Sequence, residues 1–507
     1  MPELPLQRIP AQSDGAVGVY GSLWMPVNHH LSDTEVRFQQ SVIMNVIVLC
    51  PACGHQNAGD ASHCIRCRTP LEKGRRVTHG EARDLDLKRR GAARRRRVVR
   101  WVLVVLFLLG VGGWTGYSAL GGGRQGPPAS DISANPTPGD WPMFQRSPAH
   151  SAFVSDAVPV PEGQVRWRFE AGAPILSSPA VVQGTVYLGT GDGRVVALEA
   201  ETGGLIWERA VTSPVDSSLA VAGDLVFVGL KDGRVLALAR ADGKTRWEFP
   251  TGDLIYSSPS VYRGVVYIGS SDGRLYALDA KTGNMRWSYL TGGRVISAPA
   301  VREDVVVVTS QDRRVYLVDT NTGKHRLDFV TSDTRGSPAL DEELAYVADT
   351  GGVLIAIDWS KRELPFEKTA RWIRTQLFVW GLVGSLPPPK GFVWSFRRPG
   401  EGFVGTPAVG AGKVYIVSES GAVFGLDRSD GRLVWTFRAD AKITGSPSIA
   451  GQTLYVGDAE GVLYGIDTLT GEARWRFQAD GRISSTAVVA NGMLYVASAS
   501  GTLYAIQ

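Results

Sequence analysis

The stretch from Ser257 to Leu290, SSPSVYRGVVYIGSSDGRLYALDAKTGNMRWSYL, decides the fold. It holds short apolar runs, VVYIG from Val265, RLYALD from Arg274 and MRWSYL from Met285, with the Ser-Pro phrase ahead of them. Arg263-Gly264, Ser271-Asp272-Gly273 and Lys281-Thr282-Gly283 break the runs. Alternating β-branched and aromatic residues bounded by glycine turns read as strands joined in hairpins. Four strands in a unit of this length are what a propeller blade requires.

The unit repeats. Trp167, Trp207, Trp247 and Trp287 recur every forty residues, Leu327 takes the next place, and Trp394, Trp435 and Trp475 continue after one insertion. The same beat carries Ser178-Pro179, Ser258-Pro259, Ala298-Pro299, Ser337-Pro338, Thr406-Pro407 and Ser446-Pro447, with Ser218-Leu219 and Ser485-Thr486 in the two remaining places. Tyr187, Phe227, Tyr267, Tyr346, Tyr415, Tyr455 and Tyr495 mark the hairpins. Eight copies predict an all-β, eight-bladed propeller over residues 140–507. Proline cannot donate to a ladder, so the Ser-Pro strands are expected to line the channel, with the tryptophan strands outermost. The last unit ends three strands long at Tyr504-Ala-Ile-Gln507, and an unpartnered strand, 165–169, precedes the first. The N-terminal strand is therefore expected to complete the last blade and close the ring.

The period also suits WD40 units, but no Trp-Asp dipeptide occurs, and kelch units are longer. The wording YALDAKTGxxxW resembles the PQQ-like repeats of the BamB-type and quinoprotein dehydrogenase families, and DWPMFQRSPAHSAF from Asp140 resembles the segment that leads into such propellers. The dehydrogenases of that group resemble one another in a vicinal cysteine pair and in carboxylate and asparagine ligands for calcium. This propeller has no cysteine, and its histidines are His150 and His325, too isolated for a metal cluster or a catalytic triad. Asp192, Asp232 and Asp272 sit in hairpins, where turn chemistry accounts for them. No catalytic residue, no enzyme activity and no PQQ are expected.

An insertion at about 360–393 interrupts the beat and includes EKTARWIRTQLFVWGLVGSLPPP. Glu367 to Val383 is predicted helical, either docking a partner or membrane surface through Trp372, Phe378, Val379 and Trp380 or packing on the propeller's own rim.

N-terminal to the propeller the composition changes. Residues 101–120, WVLVVLFLLGVGGWTGYSAL, carry no charge and are long enough to span a bilayer as one transmembrane helix. A buried globular helix would be weakened by Gly110, Gly112, Gly113 and Gly116, and a cleaved signal would not start a hundred residues into the chain. Nine basic residues between Arg83 and Arg100 precede the span and only Arg124 follows within twenty residues, which places the N-terminus in the cytoplasm and the propeller outside. Next to an apolar span, the basic segment 74–100 reads as a topology anchor for anionic lipid rather than a nucleic-acid site. Residues 121–139, rich in Gly, Pro and small polar residues, read as a flexible linker.

All four cysteines lie together, as Cys50-Pro-Ala-Cys53 and Cys64-Ile-Arg-Cys67. Two C-x-x-C knuckles supply four thiolates, a closed tetrahedral set suited to structural zinc, and residues 44–73 resemble a bacterial zinc ribbon. His55 and His63 are adjacent alternative ligands, and a redox dithiol would need βαβ patterning that this stretch lacks. Residues 1–43 show no periodicity and are expected to be disordered or a non-native extension, with synthesis starting at Met44.

Together these readings imply a single-pass inner-membrane protein whose propeller is a non-catalytic scaffold for envelope or secreted proteins, or for a ligand. The alternatives are a sensor coupling the propeller to the ribbon and, disfavoured, a PQQ dehydrogenase.

Overall fold

The computed structural model describes residues 46–78, 80–85, 87–88, 101–102, 128, 130–155 and 163–507. The chain divides after Gly113 into two compact units. In the first, Val46–Leu49 pairs antiparallel with both Gln56–Ala58 and Arg75–Thr78. Val48 and Leu71 share its small core with Cys50 and Cys64. So few apolar side chains cannot hold a fold alone, which leaves the cysteine cluster as its staple. Residues 1–43, the arginine-rich end of the basic segment and the expected span beyond helical Trp101 and Val102 lie outside the described residues. Among the described residues no helix is long and apolar enough to cross a membrane.

The second unit consists of eight sheets. Residues 180–210 (blade 1), 220–250 (blade 2), 260–290 (blade 3), 300–330 (blade 4), 339–397 (blade 5), 403–438 (blade 6) and 448–478 (blade 7) each supply four antiparallel strands in chain order. Blade 8 joins Val488–Ala490, Met493–Ala497 and Thr502–Ile506 to the N-terminal strand Val165–Glu170, with Thr502 opposite Glu170 and Ala505 opposite Trp167. The closure expected from the two chain ends is therefore observed.

The tryptophans fasten blade to blade. In every blade that carries one, the residue lies on the outermost strand against its own blade's hairpin aromatic, as in Trp247 with Phe227 at 5.8 Å between centroids and Trp287 with Tyr267 at 5.9 Å. The indole N–H then crosses to the next blade: Trp167 donates to Ala200 O (3.0 Å), Trp207 to Arg240 O (2.9 Å), Trp247 to Ala280 O (2.9 Å), Trp287 to Thr320 O (2.8 Å), Trp394 to Arg428 O (3.1 Å) and Trp435 to Thr468 O (2.9 Å). Its ring covers the glycine of that blade's third turn. A Cβ on Gly283 would lie 2.7 Å from the Trp247 ring, and one on Gly323 2.8 Å from Trp287. The Thr-Gly phrase is thus demanded twice, by positive φ and by the neighbouring indole.

Around the axis a second circle of contacts links the blades. The amides of Ser178, Ser218, Ala298, Ser337, Thr406 and Thr486 donate to the hydroxyls of Ser218 (2.9 Å), Ser258 (2.9 Å), Ser337 (2.8 Å), Thr406 (3.1 Å), Ser446 (2.9 Å) and Ser178 (2.9 Å). Ala298 offers no hydroxyl, and there Ser257 Oγ donates to Ser297 O at 2.9 Å. Thr444 Oγ1 and Ser448 Oγ join blade 7 to blade 8 through Ile483 O (2.7 Å) and Ala487 O (2.6 Å). The Ser-Pro pairs consequently sit in the bend before each inner strand rather than within it. Thr406-Pro407 is different, lying inside Phe403–Gly410 where the register with Lys413–Ser418 shifts. The hydroxyl residue's amide is spent sideways on the neighbouring blade and proline has no amide, so the pair marks a passage between blades.

Part of the expected linker lies on the propeller: Ile132 packs against the core of blades 2 and 3, Ala134 is buried there, and Gly264 N donates to Ile132 O at 2.6 Å.

Gly184 and Gly283 both hold positive φ (76° and 75°), but only Gly283 faces an indole. Alanine at Gly184 should cost about 1 kcal/mol from backbone strain alone. Gly283→Ala should cost roughly 1–3 kcal/mol more from overpacking, read as the difference between the two denaturation midpoints.

Candidate functional site

The innermost strand of each blade has one free edge, and the protein covers these edges with its own chain. Trp141 exchanges both backbone hydrogen bonds with Val181, at 2.7 and 2.8 Å. The carbonyls of Pro142, Pro148, Ala149, Ser151 and Ala152 accept the amides of Val221 (2.7 Å), Val301 (2.6 Å), Leu340 (2.7 Å), Val409 (3.0 Å) and Ile449 (2.8 Å), which hold equivalent places on the inner strands of blades 2, 4, 5, 6 and 7, while blade 3 is met earlier in the chain by Ala134 N, which donates to Val261 O at 3.5 Å. Gln145 Nε2 reaches Thr486 Oγ1 of blade 8 at 3.3 Å, and Phe153–Val154 adds a parallel fifth strand to blade 7. This lead-in segment is an axial plug that pairs amides otherwise left without partners. To pass from blade to blade it bends sharply, placing Gln145, Arg146, His150 and Ala152 at positive φ (54°, 71°, 60° and 52°), conformations kept only because the surrounding bonds impose them.

His150 lies at the centre of the plug and is fully buried. Its Nδ1 is 2.9 Å from Pro338 O and its Nε2 3.2 Å from Ser260 Oγ, tying blades 5 and 3 through one ring. Phe144 meets the imidazole edge-on at 5.4 Å. Burial pulls its pKa down to about 4, against the small upward pull of Pro338 O. Both nitrogens are thus engaged in holding the fold. Beside the plug is a recess of about 670 Å³, whose lining includes Arg263, Arg302, Glu303, Asp341, Arg428 and Ser147. Arg428 is paired with Asp341 at 2.6 Å. Mixed charge and an open mouth suit a polar loop or ligand rather than an enclosed reacting centre.

In the first unit the four expected ligands converge, their sulfur atoms all within 4.8 Å of one another. Cys50 and Cys67 are 3.5 Å apart, Cys53 and Cys64 3.6 Å, and Cys53 and Cys67 3.3 Å. A disulfide needs about 2.05 Å, whereas four sulfurs about 2.3 Å from one ion sit roughly 3.8 Å apart. Each knuckle closes on a residue of positive φ, Gly54 after the first and Arg68 after the second. Asn57 joins them, donating to His55 O at 2.9 Å and accepting from Ile65 N at 3.0 Å. The Thr69 hydroxyl and amide pull the Cys67 thiol down to about 6; at Cys53 the His55 backbone bond lowers the pKa, but Cys67, burial and the other two thiols together drive it up to about 12. Four thiols so close cannot all ionise without a cation among them, so the cluster can bind a metal ion. His55 and His63 stand outside this group.

A further cluster was not legible in the sequence. His325 and Asp328, on the outer strand of blade 4, meet Glu363 from the insertion, with ligand atoms within 4.8 Å. The Lys368 ammonium lies among them, 2.6 Å from Asp328 Oδ1, 3.4 Å from Glu363 Oε2 and 3.5 Å from His325 Nε2. It occupies the position a cation would take. His325, followed by burial and Lys368, sets the ionisation of Asp328, and the net effect holds its carboxyl well below the usual range. His325 is therefore not isolated, and the cluster clasps the insertion to blade 4. Nothing in the spacing of His325 and Glu363 marks this meeting, because an insertion has no register with the repeat.

Eight four-stranded blades closed by both chain ends, with a plugged axis, define a PQQ-like β-propeller. The chain belongs to the family described as outer membrane protein assembly factor BamB, whose model matches residues 154–358 and 381–507. BamB from Moraxella catarrhalis superposes with a TM-score of 0.54 at 20% identity, covering 67% of this chain and 98% of that one. A europium-containing methanol dehydrogenase gives 0.59 at 15%, covering 72% and 90%. The quinohemoprotein alcohol dehydrogenase of Comamonas testosteroni gives 0.57 at 15%, covering 73% and 81%. At such identities the likeness is one of fold. No curated protein matches the sequence.

A ring buried neutral at about 4 against 6.5 in the open chain lets the unfolded state take up the proton first. Its contribution is complete above about pH 6.5 and falls as pH drops towards 4, by on the order of 3 kcal/mol in all. His150→Gln keeps hydrogen-bonding capacity but does not titrate, so its stability should fall less steeply over that window in parallel denaturant titrations.

Proposed function

We propose that this protein is a membrane-anchored, extracytoplasmic propeller that acts without catalysis, offering its faces to proteins or a polar ligand of the bacterial cell envelope. The observation that carries the reading is the axial plug. The inner edges of blades 1, 2 and 4 to 7, where a propeller can present backbone groups to a small molecule, are bonded to the chain's own residues 141–154. Neither propeller histidine is free for chemistry, since His150 holds two blades and His325 belongs to the clasp. The cysteines are confined to residues 50–67. Membership of the BamB family favours a binding role, BamB being described as an assembly factor. Anchoring rests on the uncharged run 101–120 and the basic residues before it.

Two measurements test this reading. The full-length protein supplied with PQQ and calcium should reduce no dye with alcohol or aldose substrates, and sustained turnover would restore the dehydrogenase. Protease added to spheroplasts should degrade residues 140–507 and spare an N-terminal fragment containing 44–100, whereas a protected propeller would reverse the topology.

The metal of the cysteine cluster we assign as structural zinc, because four thiolates leave no open coordination position. Purified full-length protein should carry one zinc per chain. Cys64→Ser should remove it and abolish amide protection in residues 46–78, with the melting of the propeller unchanged. A metal content unaffected by Cys64→Ser would exclude this site.

A further inference from the structure

The insertion of blade 5 forms the helix Glu367–Val379, none of whose residues is buried. Lys368 and Arg371 are drawn to the clasp, Lys368 to Asp328 at 2.6 Å and Arg371 to Glu363 at 3.6 Å. At 100° per residue, Val379, Trp372, Gln376, Trp380 and Ile373 share an arc of about 120° that starts beside Lys368 and runs away from Arg371. The clasp therefore turns an aromatic face outward. Trp372 is 63% exposed, Val379 69%, Trp380 68% and Leu382, just beyond the helix, 67%. Four large apolar side chains side by side at that exposure mark an interaction surface.

The covalent path of the chain identifies the occupant. In antiparallel blades the first and third turns emerge on the same face, and the insertion replaces the third turn of blade 5. The N-terminal tether reaches the propeller on that face: Pro128 lies against Gly264, in the first turn of blade 3, and shares a recess with Asp304, Thr320 and Asn321. Asp304 is also bonded to Arg362 at the base of the insertion, at 2.6 Å. Asp304 thus both lines the recess that Pro128 enters and holds the base of the insertion. Eight residue steps separate Leu120 from Pro128, at most roughly 28 Å of chain. A bilayer spanned by 101–120 would lie within that reach, on the insertion's side of the propeller.

We propose that Trp372, Ile373, Val379, Trp380 and Leu382 seat in the interfacial zone of a phospholipid bilayer, fixing the propeller's face against the membrane. The proposal rests on the anchoring reading above. Tryptophan suits this zone, its apolar ring reaching the acyl boundary while the N–H stays among headgroups.

The test uses the full chain in vesicles of phosphatidylcholine with phosphatidylglycerol, doped with a diazirine-bearing phosphatidylcholine and mapped by mass spectrometry after photolysis. Lipid adducts are expected on residues 372–386 and on 101–120. The triple variant Trp372→Gln, Trp380→Gln, Leu382→Gln should lower the insertion adducts by about tenfold or more, burial of each such side chain being worth roughly that factor. Adducts on 101–120 and the propeller's melting temperature should not change. Labelling of 101–120 alone overturns the proposal, and so does protection of 372–386 that rises with protein concentration without lipid adducts, which would indicate a second copy. Adducts on the insertion alone would sink the anchor and leave the seating intact; adducts on neither would sink both.

Discussion

Six of the eight blades are held to the next by an indole that belongs to one sheet and bonds the other. A four-stranded sheet of this length buries too little on its own, and its outer strand would be an open edge. The tryptophan meets both needs. Its ring covers the glycine of the next blade's turn, so two apolar surfaces are removed from water together, and its N–H satisfies a carbonyl that the turn leaves unpaired. Blade 4 lacks the ring. Leu327 supplies apolar volume there but no donor, and the turn it would face is the one replaced by the insertion. The longest departure from the repeat thus occurs beside the blade without the indole.

The axis obeys a related constraint from the inside. Inner strands of three residues leave backbone amides that no neighbouring strand reaches. Threading residues 141–154 past the blades gives partners to such amides in blades 1, 2 and 4 to 7, at the expense of four strained backbone conformations and one buried neutral histidine. With the propeller's N-terminal part built in twice, as the strand 165–170 in blade 8 and as the plug along the axis, opening one blade would disturb contacts in several others. Cooperative unfolding is the expected consequence, although repeat proteins that stack linearly tend to lose it.

A plugged axis moves function to the periphery. What the periphery offers is chemically uneven: a recess of mixed charge beside the plug, and an aromatic helix held outward by the Lys368 clasp. Both are built on turns, where surface loops tolerate change more readily than the strands they join. The small N-terminal unit obeys a different logic, its core being four cysteines that can bind a metal ion, with few apolar residues beside them.

Much of this was written in the residue pattern. A forty-residue beat of tryptophan, hydroxyl residue and glycine determined the blade, the number of blades and the closure by Val165–Glu170, because each landmark has a strictly local reason: period-two strands, turns that need positive φ, a ring that needs a glycine. Four clustered cysteines determined a metal-binding set for the same reason. Only the tertiary structure decided what distant pieces do to one another. The Ser-Pro pairs proved to be bridges between blades rather than channel-lining strands, the segment 141–154 became a plug, and Glu363 and Lys368 found His325 and Asp328 across an insertion. These are contacts between segments with no shared period, and periodicity carries no information about which unrelated surfaces a closed ring will bring within hydrogen-bonding distance.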